Sequence, residues 1–312
     1  MGYVFVDSSK VIYYFGPDLE PVAFADPGDV ICFETLDCFS NQISSEDQLV
    51  TDIDFSRVNP ATGPIYIRGA ERGDTLAVKI LDIETSDRGV IVTAPGYGVL
   101  GDKVRSPRTK ICEIREDKFV YFVGKGVAHF VGLRLPYRPM IGVIGVAYDE
   151  KVPCGVPGKH GGNMDTKLIT KGVTVYLPVF REGALLGVGD LHAVMGDGEV
   201  CVAGCEVSGK VLVTTSVFKE KFIPWPIVET DEAFYLIVSH EDINKALYEA
   251  TDLAVKVLQH SLALDWDEAY MIASMIVDIQ ISQLVDPAKT VRARIPKDYV
   301  SLPKIFEAFR ES

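Results

Sequence analysis

Two short segments hold residue types that could carry chemistry. His160-Gly161-Gly162-Asn163-Met164-Asp165 is a glycine-rich loop bearing an imidazole, an amide and a carboxylate. Gly189-Asp190-Leu191-His192 follows it and leads through Ala193-Val194-Met195 to Gly196-Asp197-Gly198-Glu199. Asp190 and His192 stand two apart, so in extended backbone they project from one face. A carboxylate oxygen beside an imidazole nitrogen is a ligand set for zinc or a similar divalent ion. Glycines at 189, 196 and 198 permit positive φ and close backbone approach, as a ligand-binding loop requires. Each fragment alone also describes an ordinary surface turn. Together, Asp165, Asp190, Asp197 and Glu199 join His160, His192 and Asn163 among otherwise apolar strands. Acids gathered in such a setting must be paired, protonated or metal-bound.

Other chemistries fail on their spacing. Gly96-Tyr97-Gly98-Val99-Leu100-Gly101 has a dinucleotide-binding spacing, but Pro107 and the charges from Asp102 onward rule out the long helix that reading needs. Gly155-Val156-Pro157-Gly158-Lys159-His160 lacks the first glycine of a phosphate loop and has His160 where a hydroxyl should bind magnesium. Cys201 and Cys205 are expected on one face of a strand as buried thiols, without a second cysteine pair to build a zinc site. No Gly-x-Ser-x-Gly elbow is present. His240 and His260 flank a helix at its two ends, and His129 has no polar neighbours in sequence.

The elements that must position these residues are mostly strands. Short β-branched or aromatic runs, such as Val30–Thr35, Leu76–Leu81 and Val90–Thr93, alternate with Gly, Pro and Asp turns up to about residue 230. Pro27-Gly28-Asp29 and Arg72-Gly73-Asp74 each lead directly into an apolar strand, a faint internal echo. Further strands are expected at Phe119–Val123, Pro139–Tyr148, Thr174–Pro178, Gly198–Val207 and Lys210–Thr215. After residue 239 the period changes. Ile243, Leu247, Ala250, Ala254, Val257 and Leu258 mark one helix face, with Ser239 and Asp242 as a capping box. A second helix starts at Asp265 and runs to about Val277. Asp286-Pro287 is a turn, and Val291–Ile295 a closing strand. The fold class is therefore mainly β (α+β): layers of short strands, β-rich over 1–238, with a helical pair and closing segment over 239–312, in one unit.

Composition narrows the function. The 312 residues carry 31 Lys+Arg against 44 Asp+Glu, a net charge of −13, which argues against nucleic acid or an anionic membrane as partner. At 47% hydrophobic and 24% charged, the chain can build a sizeable core. No apolar run approaches the roughly 18 residues of a membrane span, and no signal peptide is visible. The six cysteines read as reduced thiols of a cytoplasmic protein.

The sequence resembles the acetamidase/formamidase family over nearly its whole length. The resemblance is strongest at His160-Gly161-Gly162-Asn163-Met164-Asp165 and at Val188-Gly189-Asp190-Leu191-His192 through Gly196-Asp197-Gly198-Glu199. Phe33-Glu34-Thr35-Leu36-Asp37, Asn59 to Tyr66, Leu177-Pro178-Val179-Phe180 and Val285-Asp286-Pro287 through Pro296 support it. Val194-Met195 departs from the family's Ala- or Ser-Gln pair and bears on substrate choice. The resemblance implies hydrolysis of a short aliphatic amide to carboxylate and ammonia by a β-rich homo-oligomer, a dimer or tetramer, with Zn2+ and in some cases Ca2+. Within that frame Asp165, Asp190, His192 and Asp37 are expected as metal ligands. Glu199 is the expected general acid/base and Asn163 the stabiliser of the developing oxyanion. His160, Gly161, Gly162 and Asp197 are expected at the substrate, and Asp37, His160 and Asp197 could trade places with the others. A cyclic amide (lactam) hydrolase and a catalytically silent ligand-binding protein are the alternatives.

Overall fold

The structure is a computed structural model that describes residues 2–123 and 133–310. Among the described residues two large sheets and three α-helices form three layers, beside a two-stranded ribbon of Tyr14–Phe15 and Val152–Pro153. The first sheet has nine strands in the order Tyr3–Val6, Val30–Thr35, Gly209–Phe218, Thr75–Thr85, Thr174–Pro178, Ile227–Glu229, Ala233–His240, Lys289–Pro296 and Asp278–Gln283. The second has eleven. Its centre runs from Arg88–Thr93 through Glu206–Val207 and Leu186–His192 to Met140–Gly145 and Gly161–Asn163, with Ala61–Ile67 also paired to Leu186–His192. Mainly β, α+β architecture is what the strand-then-helix order predicts.

The inner faces of the sheets meet in one core. Ile31, Phe33, Val78, Ile80, Val175 and Val213 from the first sheet pack with Ile65, Ile141, Ile144, Leu186, Val188 and Leu191 from the second. The other face of the first sheet is covered by α1 (Ile243–Leu262), α2 (Trp266–Ile276) and α3 (Leu302–Phe309), through Phe234, Leu236, Val291, Ala293 and Ile295. Burial on both faces explains why the middle strands read as continuous apolar runs rather than alternating ones. Among the described residues no helix is long and apolar enough to cross a membrane.

Most expected elements are found, and the exceptions have physical causes. Thr174–Pro178 is a strand with the expected bounds, and Asp265 caps α2 through the Glu268 amide at 2.8 Å. The α1 cap is Asp242, which accepts from Asn244 N; Ser239 belongs instead to the preceding strand and shares a hydrogen bond with Thr290. The run 198–207 is a strand only at Glu206–Val207, because Gly198, Glu199 and Val202 all take positive φ and break the ladder. Cys201 and Cys205 therefore do not share a strand face. All six cysteines are free, and five are buried. Helix α3 and the strand Asp278–Gln283 are additions to the expected pair of helices and closing strand. The turns at Gly28 and Gly73 share φ near 93° and lead into strands that flank the same neighbour, Gly209–Phe218. His129 lies outside the described residues.

Candidate active site

The site forms where Leu186–His192 lies between its neighbours in the second sheet. Asp190 and His192 share a face, as their spacing predicts, and His192 Nε2 lies 3.3 Å from Asp190 Oδ1. The antiparallel register sets Glu206 directly opposite His192, with Glu206 Oε2 3.1 Å from the same nitrogen. Asp165, just beyond the strand Gly161–Asn163, brings Oδ1 to 3.8 Å, and Glu199 brings Oε1 to 3.9 Å. One imidazole nitrogen thus faces four carboxylates, all of them buried. Asp286 adds a fifth through Asn163, whose Nδ2 donates to Asp286 Oδ2 at 3.1 Å.

Backbone conformation aims these acids. Asp165, Asp190 and Glu199 have φ of 39°, 52° and 45°, a left-handed geometry that residues other than glycine adopt at a cost. Glycine makes the room. A Cβ on Gly142 would sit 2.4 Å from Asp190 Oδ2 and 2.5 Å from Asp165 Oδ1, and one on Gly204 would sit 2.6 Å from His192 Nδ1. The cluster occupies space that any side chain at these positions would fill.

Burial and like charge act together on this cluster. Burial, followed by the charges of Glu199 and Asp190, pushes the Asp165 carboxyl well above the carboxylate range. Burial also raises Glu199 and Asp286, and takes Glu206 to about 7. For His192 burial opposes the imidazolium, but Glu206 and Asp190 outweigh it and hold the pKa well above the ordinary histidine value. Both Asp165 oxygens, Glu206 Oε2, Asn163 Oδ1 and His192 Nδ1 close no hydrogen bond. Buried polar atoms without partners are costly.

A divalent cation fits these residues. Ligand atoms of Asp165, Asp190 and His192 lie within 4.8 Å of one another, as do those of His192, Glu199 and Glu206, and those of Cys38, Asp190 and Glu206. The four carboxylate separations from His192 Nε2 all fall below the roughly 4.2 Å that two ligands with bonds of about 2.1 Å to one ion can span. The chemistry available is Lewis-acid activation beside a proton-accepting carboxylate.

The remaining expected residues lie around this centre. Asp37 is buried, but its Oδ1 accepts from Phe39 N at 3.0 Å and Asn41 N at 2.6 Å, and burial raises it to about 6. Asp197 faces away. Arg292 Nη1 and Nη2 donate to its two oxygens at 2.9 and 2.8 Å, Lys167 lies at 2.9 Å, and these cations overcome burial to hold its pKa low. His160 packs between Phe15 and Tyr148, with ring centroids 5.3 and 5.4 Å away. Gly161 and Gly162 have positive φ and no space for a Cβ, and Gly161 N donates to Gly158 O. Sequence reasoning missed Glu206, Cys38 and the role of Asp286. The signal for Glu206 is a lone acid inside the apolar run Val202-Ala203-Gly204-Cys205-Glu206-Val207.

A cavity of about 570 Å³ opens on the cluster, lined by Asn163, Asp190, Glu199, Glu206 and Asp286 on its polar side.

Known proteins share this sequence and fold. An acetamidase structure from Bacillus halodurans is 45% identical, with a TM-score of 0.90 over 95% of this chain and 98% of that one. A predicted acetamidase/formamidase from Thermoanaerobacter tengcongensis is 43% identical, with a TM-score of 0.89 over 96% and 98%. The formamidase of Methylophilus methylotrophus is 27% identical over 307 residues, covering 77% of this chain and 75% of its own. The model of the acetamidase/formamidase family matches residues 6–156 and 150–301. On the family match, sequence and fold, the chain belongs to the acetamidase/formamidase family.

Proposed function

We propose that this chain is a metal-dependent hydrolase that cleaves the C–N bond of a linear amide, giving a carboxylate and ammonia. The observation that carries the reading is His192 Nε2 ringed by four buried carboxylates, three of which line a cavity, in a member of this family. Asp165, Asp190 and His192 hold the cation, with Glu206 across the strand as a further donor. Zn2+ suits one imidazole nitrogen with carboxylate oxygens, whereas Ca2+ takes oxygen donors alone. The cation, when bound, supplies polarisation of the amide carbonyl and a more acidic water.

The chain's own groups do the rest. Glu199, on the cavity wall, accepts the proton of the attacking water and returns it to the departing nitrogen. Asn163 has one amide hydrogen committed to Asp286, and its second is free to donate to the developing oxyanion. Asp37 and Asp197 hold the surrounding loops through their turn and ion-pair contacts. Both sheets border the cavity region, so the whole chain is read as one catalytic unit. The face of α2 that exposes Met271 (66%) and Met275 (70%) suits a second copy of the chain, which light scattering would detect.

Metal analysis of the purified protein, beside ammonia release from formamide, acetamide and a γ-lactam, tests this function. Glu199→Gln should retain metal and lose at least a hundredfold in kcat. Full activity in that variant refutes the assigned role, and metal-loaded, folded protein that hydrolyses no amide refutes the enzyme reading. Preferential turnover of the γ-lactam would move the substrate to cyclic amides.

A further inference from the structure

The cavity extends well beyond what a one- or two-carbon amide needs. Besides the acids, its lining holds an apolar wall, made by Phe39, Val50, Val58, Val92, Ala94 and the half-exposed Tyr97. Phe39, Val50, Val92 and Ala94 are buried and belong to their own hydrophobic cluster with Cys38, Ile43, Val90 and Ala203. The wall is therefore a packed part of the fold. Half of these residues come from the segment 36–60, which has only two short 3-10 turns, Val50–Asp52 and Phe55–Arg57. A volume of about 570 Å³ falls within the roughly 300–1,000 Å³ of pockets that enclose ligands far larger than acetamide.

Charge narrows the acyl group further. The lining carries Asp190, Glu199, Glu206 and Asp286 against one cation, Lys289, whose Nζ is drawn onto the carbonyls of Asp286 and Pro287 at 2.8 and 3.4 Å. An anionic acyl chain would meet like charge with no free partner.

Resting on the amidase reading above, we propose that the preferred substrates are uncharged primary amides with an extended apolar acyl group, such as medium-chain aliphatic or arylacetic amides. The carboxamide lies against the acids, and the acyl chain lies on the wall built by segment 36–60 and residues 92–97.

The test is ammonia release by the metal-loaded full chain from formamide, acetamide, butyramide, hexanamide, phenylacetamide and succinamate. kcat/KM should rise about fourfold per buried methylene from acetamide to hexanamide. Phenylacetamide should match hexanamide, and succinamate should fall at least tenfold below butyramide. Ala94→Phe should lower the hexanamide-to-acetamide ratio at least tenfold; Val58→Phe serves if that variant does not fold. Values of kcat/KM that are flat or falling beyond acetamide, succinamate turnover equal to that of butyramide, or an unchanged ratio in the folded variant would each overturn the proposal while the amidase reading stands. Absence of ammonia from every amide would overturn both.

Discussion

His160 offers a sharp physical test because it is buried between the rings of Phe15 and Tyr148. It is 1% exposed, its Nε2 has no partner, and burial lowers its pKa from 6.5 to about 4. The unfolded chain therefore takes up a proton first as the pH falls. Stability from the neutral imidazole is intact above about pH 6.5, declines between about 6.5 and 4, and is lost below. The whole shift corresponds to about 3 kcal/mol, and at pH 5 about 2 kcal/mol of it should be gone. Urea unfolding of wild type and His160→Phe at pH 7.5 and pH 5.0 isolates this quantity. Both proteins carry the same acidic cluster, so its titration and the substitution's own packing cost cancel in the double difference. Wild type should lose about 2 kcal/mol more than the variant between the two pH values. Parallel loss in both proteins would refute the argument that His160 is a neutral, structural ring.

Other consequences can be measured with equal directness. Gly142→Ala places a methyl against Asp190 and Asp165, so metal content should fall at least tenfold by elemental analysis, and the urea midpoint should fall at least as far as it does in metal-stripped wild type. Gly161→Ala meets the Ile144 carbonyl at 2.2 Å with φ of 93° and should destabilise by more than about 2 kcal/mol, whereas Gly196→Ala, which meets nothing, should stay within about 0.5 kcal/mol in the same unfolding assay. Arg292→Leu removes one of the two cationic partners of Asp197 and three further hydrogen bonds, and should cost about 3 kcal/mol. Chelation should abolish turnover and lower Tm, because the native state alone offers the converged ligands; an unchanged Tm would refute the buried cation.

The sequence made the site legible as a set of residue types but not as a geometry. Asp190 and His192 could be paired from a two-residue spacing, which is local. Glu206 could not, because it meets His192 only through strand register, and register depends on the whole sheet. Asp286 comes from the far end of the chain. The loop around Glu199 reads as a strand because Val200, Cys201, Val202 and Ala203 are apolar, yet left-handed backbone at three positions around them bends it into the site. Helix α1 was plain from periodicity over four turns and more. Helix α3, with eight residues and Pro303 in its first turn, is too short for that signal.

The ion pair of Asp197 with Arg292, together with Gly198 N donating to Ser282 O at 2.7 Å and Leu284 N to Gly198 O at 3.1 Å, stitches the loop that carries Glu199 to the last strands of the chain. This imposes an order on biosynthesis. A nascent chain that has emerged only to residue 277 already holds Asp165, Asp190, His192 and Glu206, but the loop that carries Glu199 still lacks its contacts to Arg292, Ser282 and Leu284. Catalytic competence is therefore expected only after residues 278–292 have emerged and folded back onto this loop. Fragments ending before Arg292 should neither turn over amide nor regain activity when metal is added, however much of the first layers they have folded.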